Sequence, residues 1–181
     1  SAAVTVTVDN AVEPPPLTLP VRGAFYYPWF PETWTVGGQP IHYQPTLGLY
    51  DSSSAPVVDN HINALDHAKI DIGIVSWWGP GTHAEAVRVP LLLDRTRALS
   101  SPLRWAVYYE QEGSADPTVA QIQSDLQYLM SNYAGGPEYA RVAGKPVVLV
   151  YSANDVSCDV ADRWKLASEG RWYVSLKVFS G

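Results

Sequence analysis

Residues 70–81 read IDIGIVSWWGPG, a near-continuous apolar run closed by a glycine–proline turn. Such a run suits a strand buried on both faces, as in a parallel sheet flanked by helices. Four other segments share its character: residues 23–30 (GAFYYPWF), 103–110 (LRWAVYYE), 146–152 (PVVLVYS) and 172–179 (WYVSLKVF). Helical spacing fills the gaps. Val57, Val58, Ile62, Leu65 and Ala68 form one apolar stripe. Residues 84–99 form a second helix, which Pro90 is expected to kink or split. Asp116-Pro117 reads as an N-cap with proline at the first helical position, ahead of Val119, Ile122, Leu126, Leu129 and Met130. Gly135-Gly136 ends that stripe, and Gly170 closes a fourth helix over 156–169.

This β-α alternation predicts an α/β fold with a parallel sheet and right-handed crossovers. A doubly wound nucleotide fold should place glycines in the first strand-to-helix turn. Here that turn reads PWFPETW. The strand ends carry aromatics and carboxylates instead, which is the habit of a (β/α)8 TIM-type barrel whose site gathers at the C-terminal rim. About five β/α units are visible, in the order 1-2-3-4-5, against eight in a full barrel. Residues 1–20 read as a tail or proline-rich linker, with a short Val/Thr strand over 3–8, and residues 21–181 as the N-terminal portion of the barrel.

Composition narrows the function. The 181 residues carry 18 acidic and 12 basic side chains, net −6, so a basic nucleic-acid patch is not expected. At 46% hydrophobic and 17% charged the chain is globular, and no apolar run reaches the ~20 residues of a membrane span. One cysteine leaves no disulfide framework and no cysteine zinc site. His61 and His67 lie on different helix faces and His83 in a turn, so no metal site is expected. Seven Trp and eleven Tyr stand against three Phe. Aromatics with a polar handle stack on sugar faces and bond sugar hydroxyls, although they also simply pack.

The strand ends supply the candidate site: Tyr27 and Trp29; Ser76, Trp77 and Trp78; Tyr108 and Glu110; Tyr151, then Asn154 and Asp155; and Lys177. The insertion after the first strand, residues 34–54, has no clear secondary structure and is long enough to be functional. It offers His42, Tyr43, Tyr50 and Asp51 to the rim. Glu110 and Glu112 are the candidate catalytic carboxylates. Two apart on an extended segment, they point the same way with backbones about 6.6 Å apart. Glycosidases hold two acids ~5–5.5 Å apart for retention or ~6.5–9.5 Å for inversion. Trp77 is expected to stack on sugar.

Taken in order, GAFYYPWFPETW, IHYQPTLGLYDSS, IDIGIVSWWGPG, WAVYYEQEG and KPVVLVY resemble bacterial proteins of the glycoside hydrolase family 99-like group. That group is similar to endo-α-mannosidases and more distantly to family 71 α-1,3-glucanases. The resemblance implies a secreted or cell-surface barrel glycosidase acting on α-linked oligo- or polysaccharides, without cofactor. It matches Glu110 to a glutamate that faces the sugar, and Tyr27, His42, Tyr43, Trp77, Trp78 and Tyr151 to cleft positions. It also implies that the catalytic glutamate pair lies on a later strand, which nothing here matches. Remaining chain or another subunit would then cover the open barrel edges. The other reading is a non-catalytic glycan-binding or self-assembling extracellular module.

Overall fold

The structure, a computed structural model, describes residues 17–36, 39–81, 83–152 and 158–178. The expected strand over 3–8 lies outside these residues. Element order is β1 (Gly23–Tyr26), β2 (Thr35–Val36), β3 (Gln39–Pro40), α1 (Ala55–His67), β4 (Ile72–Trp77), α2 (His83–Ala98), β5 (Arg104–Tyr109), α3 (Glu112–Ala115), α4 (Val119–Asn132), β6 (Arg141–Val142), β7 (Lys145–Ser152), α5 (Cys158–Ser168) and β8 (Tyr173–Val178). Strands β1, β4, β5, β7 and β8 pair in parallel and in sequence order. There is no reversal at β1, which is the barrel order expected from the alternation. The short β6 forms an antiparallel hairpin with β7.

Strand alternation divides the core in two. Val75 and Trp77 of β4, Trp105, Val107 and Tyr109 of β5, and Val148 and Val150 of β7 pack with helix residues. Those helix residues include Val58 and Ile62 (α1), Val89 and Leu92 (α2), Ile122 and Leu126 (α4), and Val160 and Trp164 (α5). The alternate residues Ile72, Ile74, Ala106, Tyr108 and Val147 form a second cluster without helix residues, joined by Leu17 and Val21. Helices α1, α2, α4 and α5 supply the helix residues of the first cluster and so lie on one side of the sheet, as sequential crossovers of one hand require. We call the other side the inner face.

Gly73 is where the outer face needs a vacancy. The Trp105 ring lies across it, and its indole nitrogen donates to Thr96 Oγ1 at 2.7 Å. A Cβ on Gly73 would meet Trp105 Cζ3 at 2.4 Å.

Several local expectations are corrected. Helix α2 runs through Pro90 as one element. The cap of α4 is Thr118, not Asp116. Thr118 Oγ1 accepts from the Gln121 amide, and the Gln121 side chain accepts from the Thr118 amide. Asp116 instead ends α3 in the left-handed region, at φ 49°. The insertion after β1 is not wholly irregular, because β2 and β3 pair antiparallel within it.

On α4, the buried Asp125 accepts from the Tyr109 hydroxyl at 2.7 Å. Burial raises its pKa above the usual aspartate range, and the Tyr109 bond only partly opposes this. Between the usual range and the raised value, the folded chain holds a proton that the unfolded chain has lost. This group's contribution to stability therefore falls as pH rises through that window.

Two predictions follow from the packing. Gly73→Ala should cost about 1–3 kcal/mol through overpacking against Trp105, read as a lower denaturant midpoint at unchanged slope. Asp125→Asn should gain melting temperature relative to wild type as pH rises from about 4, the ordinary aspartate value, and hold a constant difference above the raised value.

Candidate functional site

The C-terminal ends of β1, β4 and β5 build the site. Beyond β1 the chain leaves as Tyr27-Pro28-Trp29, and alternation keeps Phe25 and Tyr27 on the inner face. On β4 the same parity turns Ser76 inward, and on β5 it turns Tyr108 and then Glu110 inward. The Trp29 indole N–H donates to Ser76 Oγ at 3.2 Å, and Ser76 Oγ donates to Glu110 Oε1 at 2.8 Å. The direction follows from chemistry: indole only donates, and serine has one proton to pass on. Glu110 is 5% exposed and Ser76 1%. A carboxylate so far from water is retained where donors meet it.

Phenols surround this carboxylate. The Tyr27 ring packs edge-on to Trp29 at 4.7 Å, Phe25 meets Tyr108 at 4.9 Å, and Tyr108 meets Tyr151 at 5.8 Å. Burial raises the pKa of Tyr27 and of Tyr108, and the charge of Glu110 raises both further. Both hydroxyls therefore stay protonated and able to donate at any ordinary pH. Tyr151 comes from β7, and its ring lies where a side chain on Gly113 would be, 2.2 Å from a Cβ there. Lys177 pairs in register with Tyr151. The Lys177 side chain, Asn154 and Asp155 lie outside the described residues.

Connections between elements hold the rim. The Gln111 amide donates to the Trp78 carbonyl and packs over Gly79, whose φ of 116° and missing Cβ leave room for it. Trp78 is 39% exposed beside this turn. The Tyr109 hydroxyl reaches Gln111 Oε1 at 3.2 Å.

Not every candidate from the sequence reaches the inner face. Trp77 is fully buried on the helix side, against Tyr109 and Tyr128, because alternation gives the inner position to Ser76. This corrects the expectation that its ring lines the cleft. Glu112 does not point with Glu110. The chain turns into α3 directly after Glu110, and Glu112 faces α5, where Oε1 accepts from Arg163 and Oε2 from the Trp164 indole at 2.7 Å. Tyr50 packs at the foot of the insertion against Phe30, Trp34 and His61, on the Tyr26 side of β1. Asp51 accepts from the Ser53 amide at 2.6 Å, just ahead of α1. His42 and Tyr43 are exposed, Tyr43 at 88%, and among the described contacts none joins them to the inner face.

The residues that composition and strand ends undervalue are Ser76, Phe25 and Arg88. For Ser76 the signal is present: it is the one hydroxyl in the otherwise apolar β4, in step with Ile72 and Ile74. Arg88 gives no local signal, since its partners are 35 to 60 residues away.

With this geometry in hand, the sequence profile of Glycosyl hydrolase family 99 matches residues 39–174. The chain belongs to that family. Among solved structures, it resembles the family 99 endo-α-mannosidase from Bacteroides thetaiotaomicron in complex with Bis-Tris propane. The TM-score is 0.59 and the identity 25%, over 72% of this chain and 42% of that one. A second structure of the endo-α-mannosidase from that organism aligns with TM-score 0.59 and 22% identity, over 72% and 44%. A glycoside hydrolase-like protein aligns with TM-score 0.56 and 16% identity, over 87% and 51%. The last two show the fold alone. The chain spans about half the length of these structures or less.

The two neighbouring tryptophans test the assignment of faces. Trp77→Ala should cost about 3–5 kcal/mol of stability, the usual loss for a buried Trp, in a thermal or denaturant melt. Trp78→Ala should cost clearly less. Equal losses would mean that the two rings are not divided between core and rim.

Proposed function

We propose that this chain supplies the sugar-binding part of a glycosidase active site acting on α-linked glycans, α-mannosidic ones first among them. The observation that carries the reading is Glu110, a buried carboxylate at the C-terminal rim with protonated phenols around it. A carboxylate accepts strongly from sugar hydroxyls, since charge-assisted bonds are roughly twice as strong as neutral ones. Tyr27, Trp78 and Tyr151 offer ring surface for the apolar faces of the sugar. Family membership and the 25% identity to an endo-α-mannosidase support the glycan class.

In this reading Glu110 binds and orients the sugar. Glycosidic cleavage uses two carboxyl groups flanking the scissile bond. Glu112 is unsuited to be the second, because both of its oxygens are engaged toward α5. The acid and its partner then come from a further part of the protein, which also covers the edges of β1 and β8. The setting we propose is secreted or cell-surface.

The test uses the whole protein that carries this chain. Glu110→Gln keeps the shape and an acceptor for Ser76 but removes the charge. Its affinity for α-linked manno-oligosaccharides, measured by titration calorimetry, should fall by about 1.5–3 kcal/mol, tenfold or more. Its melting temperature should move by less than about 4 °C. Unchanged affinity, or a loss that merely follows unfolding, would remove Glu110 from the sugar site. Binding without turnover in the wild type would favour the non-catalytic module.

A further inference from the structure

We infer that Arg88 is a positioning residue for this site, acting from the outer side of the sheet through the segment that follows β1. The inference rests on the glycan-binding reading of Glu110 and adds what holds Glu110's partners in place.

Arg88 lies on α2, and its side chain is 3% exposed. Its guanidinium holds both ends of the segment that runs from Pro28 to the close of the insertion. At the start, Nη1 donates to the Pro28 carbonyl at 2.7 Å, and Nη2 donates to both Glu32 oxygens at 2.8 and 2.9 Å. At the end, Nε donates to Ser53 Oγ at 3.0 Å, and Asp51 Oδ1 stands 3.8 Å from Nη2. Only a planar fork serves a carbonyl, a carboxylate and a hydroxyl at once, which a lysine's single ammonium does not reproduce.

The start of that segment matters most. Pro28 sits between Tyr27 and Trp29, the two inner-face aromatics of that segment. Fixing the Pro28 carbonyl fixes the backbone that aims the Trp29 indole at Ser76. With that bond formed, the Ser76 proton is committed to Glu110. The line Arg88, Pro28, Trp29, Ser76, Glu110 thus runs from a crossover helix to the carboxylate and crosses three strand ends. Of the partners of Arg88, the Pro28 carbonyl is the one next to Trp29. The contact to Pro28 links Arg88 to the site.

The test uses Arg88→Lys in the whole protein, with two readouts. The first is the indole N–H resonance of Trp29, assigned with Trp29→Phe. The second is affinity for an α-linked manno-oligosaccharide in a double-mutant cycle with Ser76→Ala. We expect Arg88→Lys to shift the Trp29 resonance and weaken binding about tenfold, but to cost less than threefold when Ser76 is already alanine, as coupled residues do. An unmoved resonance, or losses that simply multiply, would overturn the inference. If Arg88→Lys fails to fold, Glu32→Ala replaces it. Glu32 is 58% exposed, and losing it takes the carboxylate from Nη2 while leaving Arg88 itself unchanged. It should move the same resonance in the same direction, and no movement would overturn the inference. If the resonance moves but the wild type binds no glycan, the positioning role stands and the glycan reading fails.

Discussion

Helices α1, α2, α4 and α5 contribute to one core cluster with the outward residues of the parallel sheet, and none of them reaches the other cluster. Every strand side chain is therefore assigned by parity. Outward residues must fill space between sheet and helices. Inward residues are released from that duty and can carry polar groups. One step along β4 separates Trp77, which is core, from Ser76, which holds Glu110. A one-residue slip in register would exchange their roles, so the pairing of β4 with β5 underlies both the stability and the chemistry.

Burying Glu110 creates a demand that the neighbouring strands meet. A carboxylate removed from water needs donors, and Ser76 supplies one across the β4–β5 pair. The serine is oriented in turn by an indole from beyond β1, and that segment is gripped by Arg88 from α2. Three strand ends and one crossover helix thus meet around a single anionic group. Recognition of a sugar requires such fixed polar groups beside ring faces, because the ligand presents hydroxyls and apolar patches in alternation. The endo-α-mannosidase resemblance is consistent with this chemistry, and the family profile covers the segments that supply Ser76, Glu110 and Tyr151.

The order of elements was legible in the sequence because apolar runs and helical stripes alternate plainly, and no glycine loop diverts the first turn. Glu110, Tyr27 and Tyr108 were legible as strand-end residues. The errors share one origin. Residue type and proximity to a strand end point to Trp77 and Glu112, whereas their direction depends on the residue at which each strand stops. The chain enters α3 two residues after Glu110, which turns Glu112 toward Arg163. Sequence alone places Tyr50 and Asp51 on a loop that reaches the rim. In the structure they secure the foot of the insertion, through rings packed edge-on near α1 and a turn before it. The role of Arg88 depends on contacts across 60 residues, which no local pattern encodes.

The central claim is that the inner face at the ends of β1, β4 and β5 receives the glycan. A crystal structure of the whole protein with an α-linked manno-oligosaccharide tests it most directly. The account predicts a sugar hydroxyl within hydrogen-bonding distance of the Glu110 carboxylate and a ring face against Tyr27 or Trp78. A sugar bound only at the exposed His42–Tyr43 turn, with the inner face vacant, would contradict it.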